Sequence, residues 1–349
     1  TIIIRMQGIF MFNRIKEELD KGFFPSGMLF TRNLQAGFYF SKVMIKQPVR
    51  FTGDIVSTWM KRIKVRKPVW APLYEEKSDY ITEDDLAGVS AEDILRATSN
   101  EKYLRPTRLC KPNAPEIVAL AKKLGAWEKS DRDYAEAIFK FMRQIKFEFN
   151  PLKTEVEVLK TNRGVCLDQQ SLAIALARAG GVPARYSIIG LEFSPPVRSV
   201  LTVDPFFKEV YDALEFWEMH GAAEFMIDGK WIGTDVTFSD EAIAGLGLPM
   251  PQFGSADVGL GVAPPEIIVT FEGFPFGYKM IMQLSMSVMR GMSDRINTAI
   301  EEITENGRRL LEEIGEEKYS EMILSKKAVY KNNYELPSLE EVEAFRKKS

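Results

Sequence analysis

The chain has 349 residues, of which 45% are hydrophobic and 27% are charged, and its formal net charge is −3. This composition excludes a disordered, collagen-like or disulfide-scaffold protein. The small net charge provides no overall field that would attract DNA or an anionic membrane, so we predict no nucleic-acid partner unless a local patch supplies one.

The chain contains two cysteines, Cys110 and Cys166, and a single histidine, His220. These numbers rule out a tetrahedral zinc site made of Cys and His from one chain, and we predict neither a metal site nor a cofactor. A cysteine–histidine enzyme needs only one residue of each type. Sparse cysteine use and the lack of a long apolar run favour a cytoplasmic protein without a membrane span, although a removed leader stays open because the chain starts at Thr1.

Residues 1–100 are predicted to form an N-terminal extension or a small β-containing domain. Short apolar runs at 38–40, 43–45 and 49–51 favour strands. A basic run follows at 61–67, with five Lys or Arg residues in seven. Such a run is usually a solvated face, and docking onto an acidic partner is the alternative.

Three helices are predicted next along the chain. Pro115 and Gly125 bound the first, because Pro is favoured at the start of a helix and Gly just past its end. Ser130 caps the second. The third begins near Cys166 and ends at the glycine pair 180–181, and its alternating alanines indicate that it is buried.

Three strand-like runs follow, at 183–193, 222–227 and 231–237. The last two flank Asp228-Gly229, which is a favoured centre of a two-residue hairpin turn. We therefore predict an antiparallel hairpin here.

The length of this turn determines which side chains share a face of the hairpin. With two turn residues, Ile227 pairs with Lys230, and His220 and Asp235 become diagonal neighbours with Cα atoms about 7–8 Å apart. We predict that the Asp235 carboxylate orients the His220 imidazole. A three-residue loop would put the two side chains on opposite faces.

Cys166 lies where a loop meets a helix, directly after Gly164 and Val165. First-turn amides have no intrahelical partners and carry the positive end of the helix dipole, which lowers the pKa of a thiol. Gly164 would let a substrate backbone approach the sulfur, and the Cys166 amide could stabilise an oxyanion. The alternative is an inert buried cysteine, which is our interpretation of Cys110.

The remaining chain divides by composition. Residues 241–265 are predicted to be a Gly- and Pro-rich loop, and residues 266–349 to be mainly helical. Apolar residues at heptad spacing between Ile296 and Ile314 favour a helix that packs on the body of the protein. Self-association or a partner contact through residues 280–316 is the alternative. A short final helix is predicted after Ser338.

Four blocks of sequence together resemble the transglutaminase-like superfamily. They are Arg163–Asp168 around the cysteine, Arg178–Arg185 where a helix passes into a strand, His220, and Asp228–Asp235 in the return strand. They occur in the order typical of that family. The resemblance covers about residues 101–240, which we predict to be the core of the protein.

The resemblance implies an α+β, papain-like core in which a nucleophile helix packs on an antiparallel sheet, with N- and C-terminal extensions. It also implies that Cys166 is the nucleophile, His220 the general base and acid, and Asp235 the residue that orients the histidine. The family commonly has a bulky residue shortly after the histidine, whereas this chain has Gly221-Ala222-Ala223. We expect a smaller wall beside the imidazole, which leaves the substrate preference open but not the chemistry. Asn162 is a candidate second oxyanion donor by proximity, with a loop-capping role as the alternative.

Chemistry of this kind transfers an acyl group through an acyl-thioester. We expect a protein or peptide substrate. If water accepts the acyl group, the protein is a cysteine peptidase or amidase, which we favour because water is always available. If an amine accepts it, the protein is a crosslinking transglutaminase. A binding or assembly protein that retains the core is the third hypothesis.

Overall fold

The computed structural model describes residues 44–64, 77–150, 152–214, 217–254, 260–261, 266–274 and 278–329, together with residues 38, 41, 42, 66 and 74. None of the helices in these ranges is both long and apolar enough to cross a membrane. Strands were also predicted at 38–40 and 43–45, but residues 38, 44 and 45 are helical, and the other three residues lie outside the described ones. The helix predicted after Ser338 lies wholly outside them.

The described part of the N-terminal region is mainly helical and includes α1 (Pro48–Lys64), α2 (Glu83–Ala87) and α3 (Ala91–Arg96). The strand predicted at 49–51 is therefore wrong. Three residues, of which only Val49 and Phe51 are apolar, are too few to distinguish a strand from a helix. Pro48 at the first helical position and basic residues in the last turn suit a helix instead.

A helical layer precedes the sheet and surrounds the cysteine. It consists of α4 (Pro115–Leu124), α5 (Asp131–Met142), α6 (Glu155–Thr161) and α7 (Cys166–Ala179). All fourteen residues of α7 are buried, as its alanines predicted. Burying each of its leucine and isoleucine side chains contributes about 1.5–3 kcal/mol. Helix α7 is thus the centre of the core and a rigid support for its first residue.

The sheet against which α7 packs has four antiparallel strands in the order β5-β4-β3-β6. These are β3 (Ala184–Leu191), β4 (Trp217–Ile227), β5 (Lys230–Thr234) and β6 (Glu266–Phe271). A separate two-stranded parallel pair joins β1 (Lys146–Phe147) to β2 (Arg163–Gly164). The predicted α+β class, with the Cys166 helix on an antiparallel sheet, is confirmed.

The register of the β4–β5 hairpin agrees with the two-residue turn. Ile227 pairs with Lys230, and Ala223 pairs with Thr234. Asp228 and Gly229 have φ values of 53° and 75°, the left-handed conformation that this type of turn requires. The hairpin therefore places β4 and β5 residues on the faces that the sequence predicted.

Strand β6 was not predicted, and it extends the sheet beyond the predicted core of residues 101–240. It pairs with β3 on the side opposite β4, for example Ser187 with Thr270. The remaining elements are helical: α8 (Pro195–Leu201), α9 (Pro205–Leu214), α10 (Asp240–Gly245), α11 (Tyr278–Val288), α12 (Arg290–Ile314) and α13 (Glu316–Val329).

Helix α10 lies within the segment that was predicted to be an irregular loop, so that prediction is wrong for its first residues. Ser239 caps α10 through a hydrogen bond from the Ala242 amide. Gly245, which suggested a break in the chain, instead allows close helix packing: a Cβ there would lie 2.0 Å from the Ile303 carbonyl oxygen of α12. The glycine therefore serves packing rather than a turn.

Helix α12 packs on the body of the protein through the apolar positions that fit a heptad. Ile296, Ile300 and Ile303 are buried against the core. Self-association through these three side chains is therefore excluded in the folded chain, because they are already covered. The polar residue Asn297 on the same helix accepts a hydrogen bond from the Phe149 amide and donates one to its carbonyl.

Candidate active site

The N-terminus of α7 presents Cys166 from a loop that Asp168 stabilises. The Asp168 carboxylate accepts hydrogen bonds from the backbone amides of Val165, 3.2 Å away, and Lys153, 3.0 Å away. An acidic side chain in the first turn satisfies amides that have no intrahelical partner. The sulfur of Cys166 is thereby held at a defined position, and the residue is 9% exposed.

His220 and Asp235 form the hydrogen bond that the hairpin register predicted. The His220 Nε2 and Asp235 Oδ2 atoms are 2.6 Å apart, and both side chains are buried. His220 lies on β4, and Asp235 follows directly after β5. The second ring nitrogen, Nδ1, is left for another partner.

The Cys166 side chain also hydrogen-bonds the His220 imidazole. The three residues therefore form one continuous chain from thiol to imidazole to carboxylate. They come from α7, β4 and the end of β5, so the packing of α7 on the β4–β5 hairpin brings them together. Such a series can hold a proton on the imidazole.

The electrostatic interaction between His220 and Asp235 favours the charged form of the imidazole. Burial on its own disfavours the imidazolium, but the Asp235 carboxylate and its hydrogen bond outweigh burial and raise the pKa of His220 to about 10. Burial likewise opposes ionisation of Asp235, but the neighbouring His220 charge lowers the pKa of this carboxyl below its ordinary value. Both groups are therefore charged near neutral pH.

Thr237 holds the Asp235 carboxylate from the other side, and sequence reasoning did not identify it as a site residue. Its amide donates a hydrogen bond of 2.9 Å to Asp235 Oδ1, and its hydroxyl lies 3.5 Å from His220 Nε2. Its position two residues after the aspartate was the available signal, because a residue there can reach back to a carboxylate.

The residue after the histidine is small because α7 leaves no room for a larger one. A Cβ at Gly221 would lie 2.0 Å from the Gln170 Nε2 atom and 2.7 Å from Leu167 Cδ2. We expected Gly221 to leave a smaller wall beside the imidazole, but side chains of α7 fill that space. The glycine therefore allows a close approach of helix and strand.

Gly164 and Asn162 have structural roles in the loop before Cys166. A Cβ at Gly164 would lie 2.9 Å from the Asp168 Cβ, so the glycine accommodates the capping side chain. Asn162 ends α6 with φ 51°, and its side-chain oxygen accepts a hydrogen bond from the Tyr80 hydroxyl. These contacts fit the loop-capping alternative for Asn162.

Cys110 is completely buried, and its surroundings do not activate the thiol. Burial raises its pKa to about 12. Among the described residues, no group of three or more His, Cys, Asp or Glu side chains is placed to hold a metal ion.

Comparisons with known proteins agree with the motifs. Residues 118–236 match the family model of the Transglutaminase-like superfamily. This range includes Cys166, His220 and Asp235. A solved structure described as a "Putative Cysteine Protease" from Cytophaga hutchinsonii is 22% identical, with a TM-score of 0.28, and the match covers 44% of this chain and 44% of that one. No curated protein matches the chain. The resemblance predicted from the sequence is thus confirmed, and residues 118–236 form a transglutaminase-like region.

Proposed function

We propose that the protein is a thiol acyl-transfer enzyme that acts on amide bonds of a protein or peptide, most simply as a cysteine peptidase or amidase. The observation that carries the proposal is the continuous, buried series of Cys166, His220 and Asp235, with 2.6 Å between the last two side chains. Buried titratable groups with opposed pKa shifts are typical of catalytic sites.

In the first half of the reaction, the Cys166 thiolate attacks the carbonyl carbon of the amide, and a C–S bond forms as the oxygen becomes an oxyanion. The Cys166 backbone amide, which belongs to the first turn of α7, would donate to that oxygen. The C–N bond then breaks, and the leaving amine takes the proton from His220. An acyl-thioester remains on the enzyme, with a neutral imidazole beside it.

In the second half, an acceptor attacks the thioester while His220 removes its proton. With water, the C–S bond breaks, a carboxylic acid leaves, and the thiolate and imidazolium are restored. Asp235 keeps the imidazole oriented through both steps and stabilises its charged form. An amine as acceptor would follow the same path and yield a new amide, which is the transglutaminase alternative.

Alkylation of the two cysteines tests the site without requiring a substrate. We expect iodoacetamide to label Cys166 rapidly well below the ordinary thiol pKa of about 8.5, and the His220→Ala variant to lose this acid-shifted reactivity. Cys110 is the internal control, since it is buried and protonated. Peptide mass spectrometry measures both rates across pH. A Cys166 that reacts only on unfolding would contradict the proposal.

A second experiment separates the acceptors. The enzyme is incubated with an unfolded, glutamine-rich protein and a biotin-labelled primary amine, with Cys166→Ala as the control. New chain termini or deamidated glutamines would support hydrolysis, and biotin incorporation would support crosslinking. If Cys166 is reactive but neither product forms with a panel of proteins, the binding or assembly hypothesis is favoured.

A further inference from the structure

Exposed apolar side chains are concentrated on the N-terminal helical region. Of the twelve large apolar residues that are exposed in the described part of the chain, seven lie between residues 38 and 63. Five of these are on α1, where they are 42–85% exposed: Val49, Val56, Trp59, Met60 and Ile63. Their spacing of three, four and seven residues puts them on one face, which we call the α1 stripe.

The opposite face of α1 is polar and anchors the helix to α12. Asp54 pairs with Arg295 at 2.7 Å, and Arg62, which is buried, pairs with Asp294 at 3.0 Å. Phe51 adds a stacked contact with a ring of α9. Helix α1 is therefore held to the protein by two ion pairs and one aromatic contact, while the α1 stripe points outward.

Positive charge accompanies the α1 stripe. Arg50, Lys61 and Lys64 of the same helix are exposed. Residues 1–73 contain 13 Lys and Arg but only 4 Asp and Glu, whereas the rest of the chain contains 33 and 45. The small net charge of the whole protein therefore conceals a strongly basic N-terminal segment and an acidic remainder. The basic run at 61–67 belongs to this segment.

We propose that α1 docks the protein on an anionic lipid surface. A bilayer presents acyl chains and phosphate groups at adjacent depths, so one surface can accommodate both the α1 stripe and the long cationic side chains of the same helix. Trp59 suits the boundary between the two layers, because an indole ring is apolar with one polar N–H. The inference is independent of the chemistry proposed for Cys166.

The test is co-sedimentation of the full chain with vesicles of phosphatidylcholine, with and without phosphatidylserine. We expect binding to the anionic vesicles that weakens as salt increases. Lys61→Gln with Lys64→Gln should reduce affinity about 30-fold, from ~1 kcal/mol for each cation near the surface. The triple variant Val56→Ser, Met60→Ser and Ile63→Ser should abolish binding.

A matched control removes exposed apolar residues elsewhere. Leu95→Ser with Leu284→Ser changes side chains that are 72% and 68% exposed, outside the α1 stripe, and should bind like the wild type. Cys166→Ala should also bind normally. Failure of the wild type to bind anionic vesicles, or normal binding by the triple variant, would overturn the proposal. If the wild type dimerises without lipid and the triple variant does not, the α1 stripe binds a second copy of the chain. That result would also overturn the proposal.

Discussion

At the scale of single residues, burial distinguishes the His220–Asp235 pair from an ordinary surface ion pair. Exposed pairs contribute little, because water screens both charges and the side chains lose entropy. Here both side chains are enclosed, and the Thr237 amide satisfies the second carboxylate oxygen. Replacing either residue of such a buried pair strongly destabilises the protein, because a single buried charge would remain.

The raised pKa of His220 predicts how stability depends on pH. Because the pKa is about 10 in the folded protein and 6.5 in the reference state, the stabilisation is complete below pH 6.5 and is lost as the pH rises towards 10. We expect the free energy of unfolding to fall over this interval in the wild type and to change less in His220→Gln. Urea titrations at several pH values measure both. If the free energy of unfolding depends on pH equally in both proteins, His220 does not stay protonated over this interval.

Thr237 predicts a positioning effect on the reaction. Thr237→Val keeps the shape and the backbone hydrogen bond but removes the hydroxyl that also hydrogen-bonds Asp235. We expect kcat/KM to fall about tenfold, from the ~1.5 kcal/mol of a hydrogen bond to a charged group. The variant should also change the pH profile of Cys166 alkylation. The pH above which removing His220 no longer changes the alkylation rate should be lower than in the wild type. Because a purely structural role would not move this pH, the profile is the deciding measurement.

The matched control for this variant is Thr234→Val. Thr234 lies on the same hairpin and is buried, and its hydroxyl has no hydrogen-bond partner among the described residues. Removing an unsatisfied buried hydroxyl should leave the alkylation profile unchanged and leave stability equal or slightly higher. Equal effects of the two variants would argue against a specific role for Thr237.

At the scale of elements, two glycines determine how closely α10 and α12 approach. A Cβ on Gly307 would lie 1.8 Å from the Glu241 carbonyl oxygen and 2.4 Å from the Gly245 nitrogen. These atoms belong to backbone, which cannot move aside as a flexible side chain could. The contact is important to the site because α10 begins five residues after Asp235.

We therefore expect Gly307→Ala to separate the two helices and to destabilise the protein by about 1–3 kcal/mol, the usual cost of overpacking. Gly53→Ala is the control, since Gly53 lies inside α1 with nothing within 4 Å of an added Cβ. That change should stabilise the helix by about 0.5–1 kcal/mol, the difference between Gly and Ala in a helix interior. Thermal unfolding distinguishes the two, and a stabilised Gly307→Ala variant would contradict the close packing.

At the scale of the whole molecule, the predicted core and the segment that follows it are parts of one structure. Strand β6 (Glu266–Phe271) supplies an edge of the sheet that supports the site, and α12 buries Ile296, Ile300 and Ile303 against the same core. A chain that ends at residue 240 lacks both elements, so it would expose the edge of β3 that pairs with β6 and the core side chains that α12 covers. Exposed sheet edges and apolar surfaces promote aggregation.

We expect the chain truncated after residue 240 to lack a cooperative unfolding transition and to aggregate, while the full chain unfolds cooperatively. Circular dichroism during heating and size-exclusion chromatography measure the two properties. A truncated chain that unfolds cooperatively and still shows rapid alkylation of Cys166 would demonstrate that residues 1–240 are sufficient.

Local signals predicted the parts of the protein that depend on near neighbours in the chain. Capping and turn residues predicted α4, α5, α7 and the β4–β5 hairpin, because helix ends and two-residue turns are determined by backbone conformation within a few residues. The hairpin in turn predicted the contact of His220 with Asp235, since register follows from turn length. The motifs around Cys166, His220 and Asp235 carried the family resemblance.

Contacts between distant segments were decided only by the tertiary structure. Strand β6 is recognisable only through its pairing with β3, and the roles of Gly221, Gly245 and Gly307 depend on the elements that approach them. The sequence did not show which face of α1 would contact α12, because either face of an amphipathic helix can be buried, depending on the partner that packs against it. Short-range geometry is encoded locally, whereas the burial of each face depends on the whole fold.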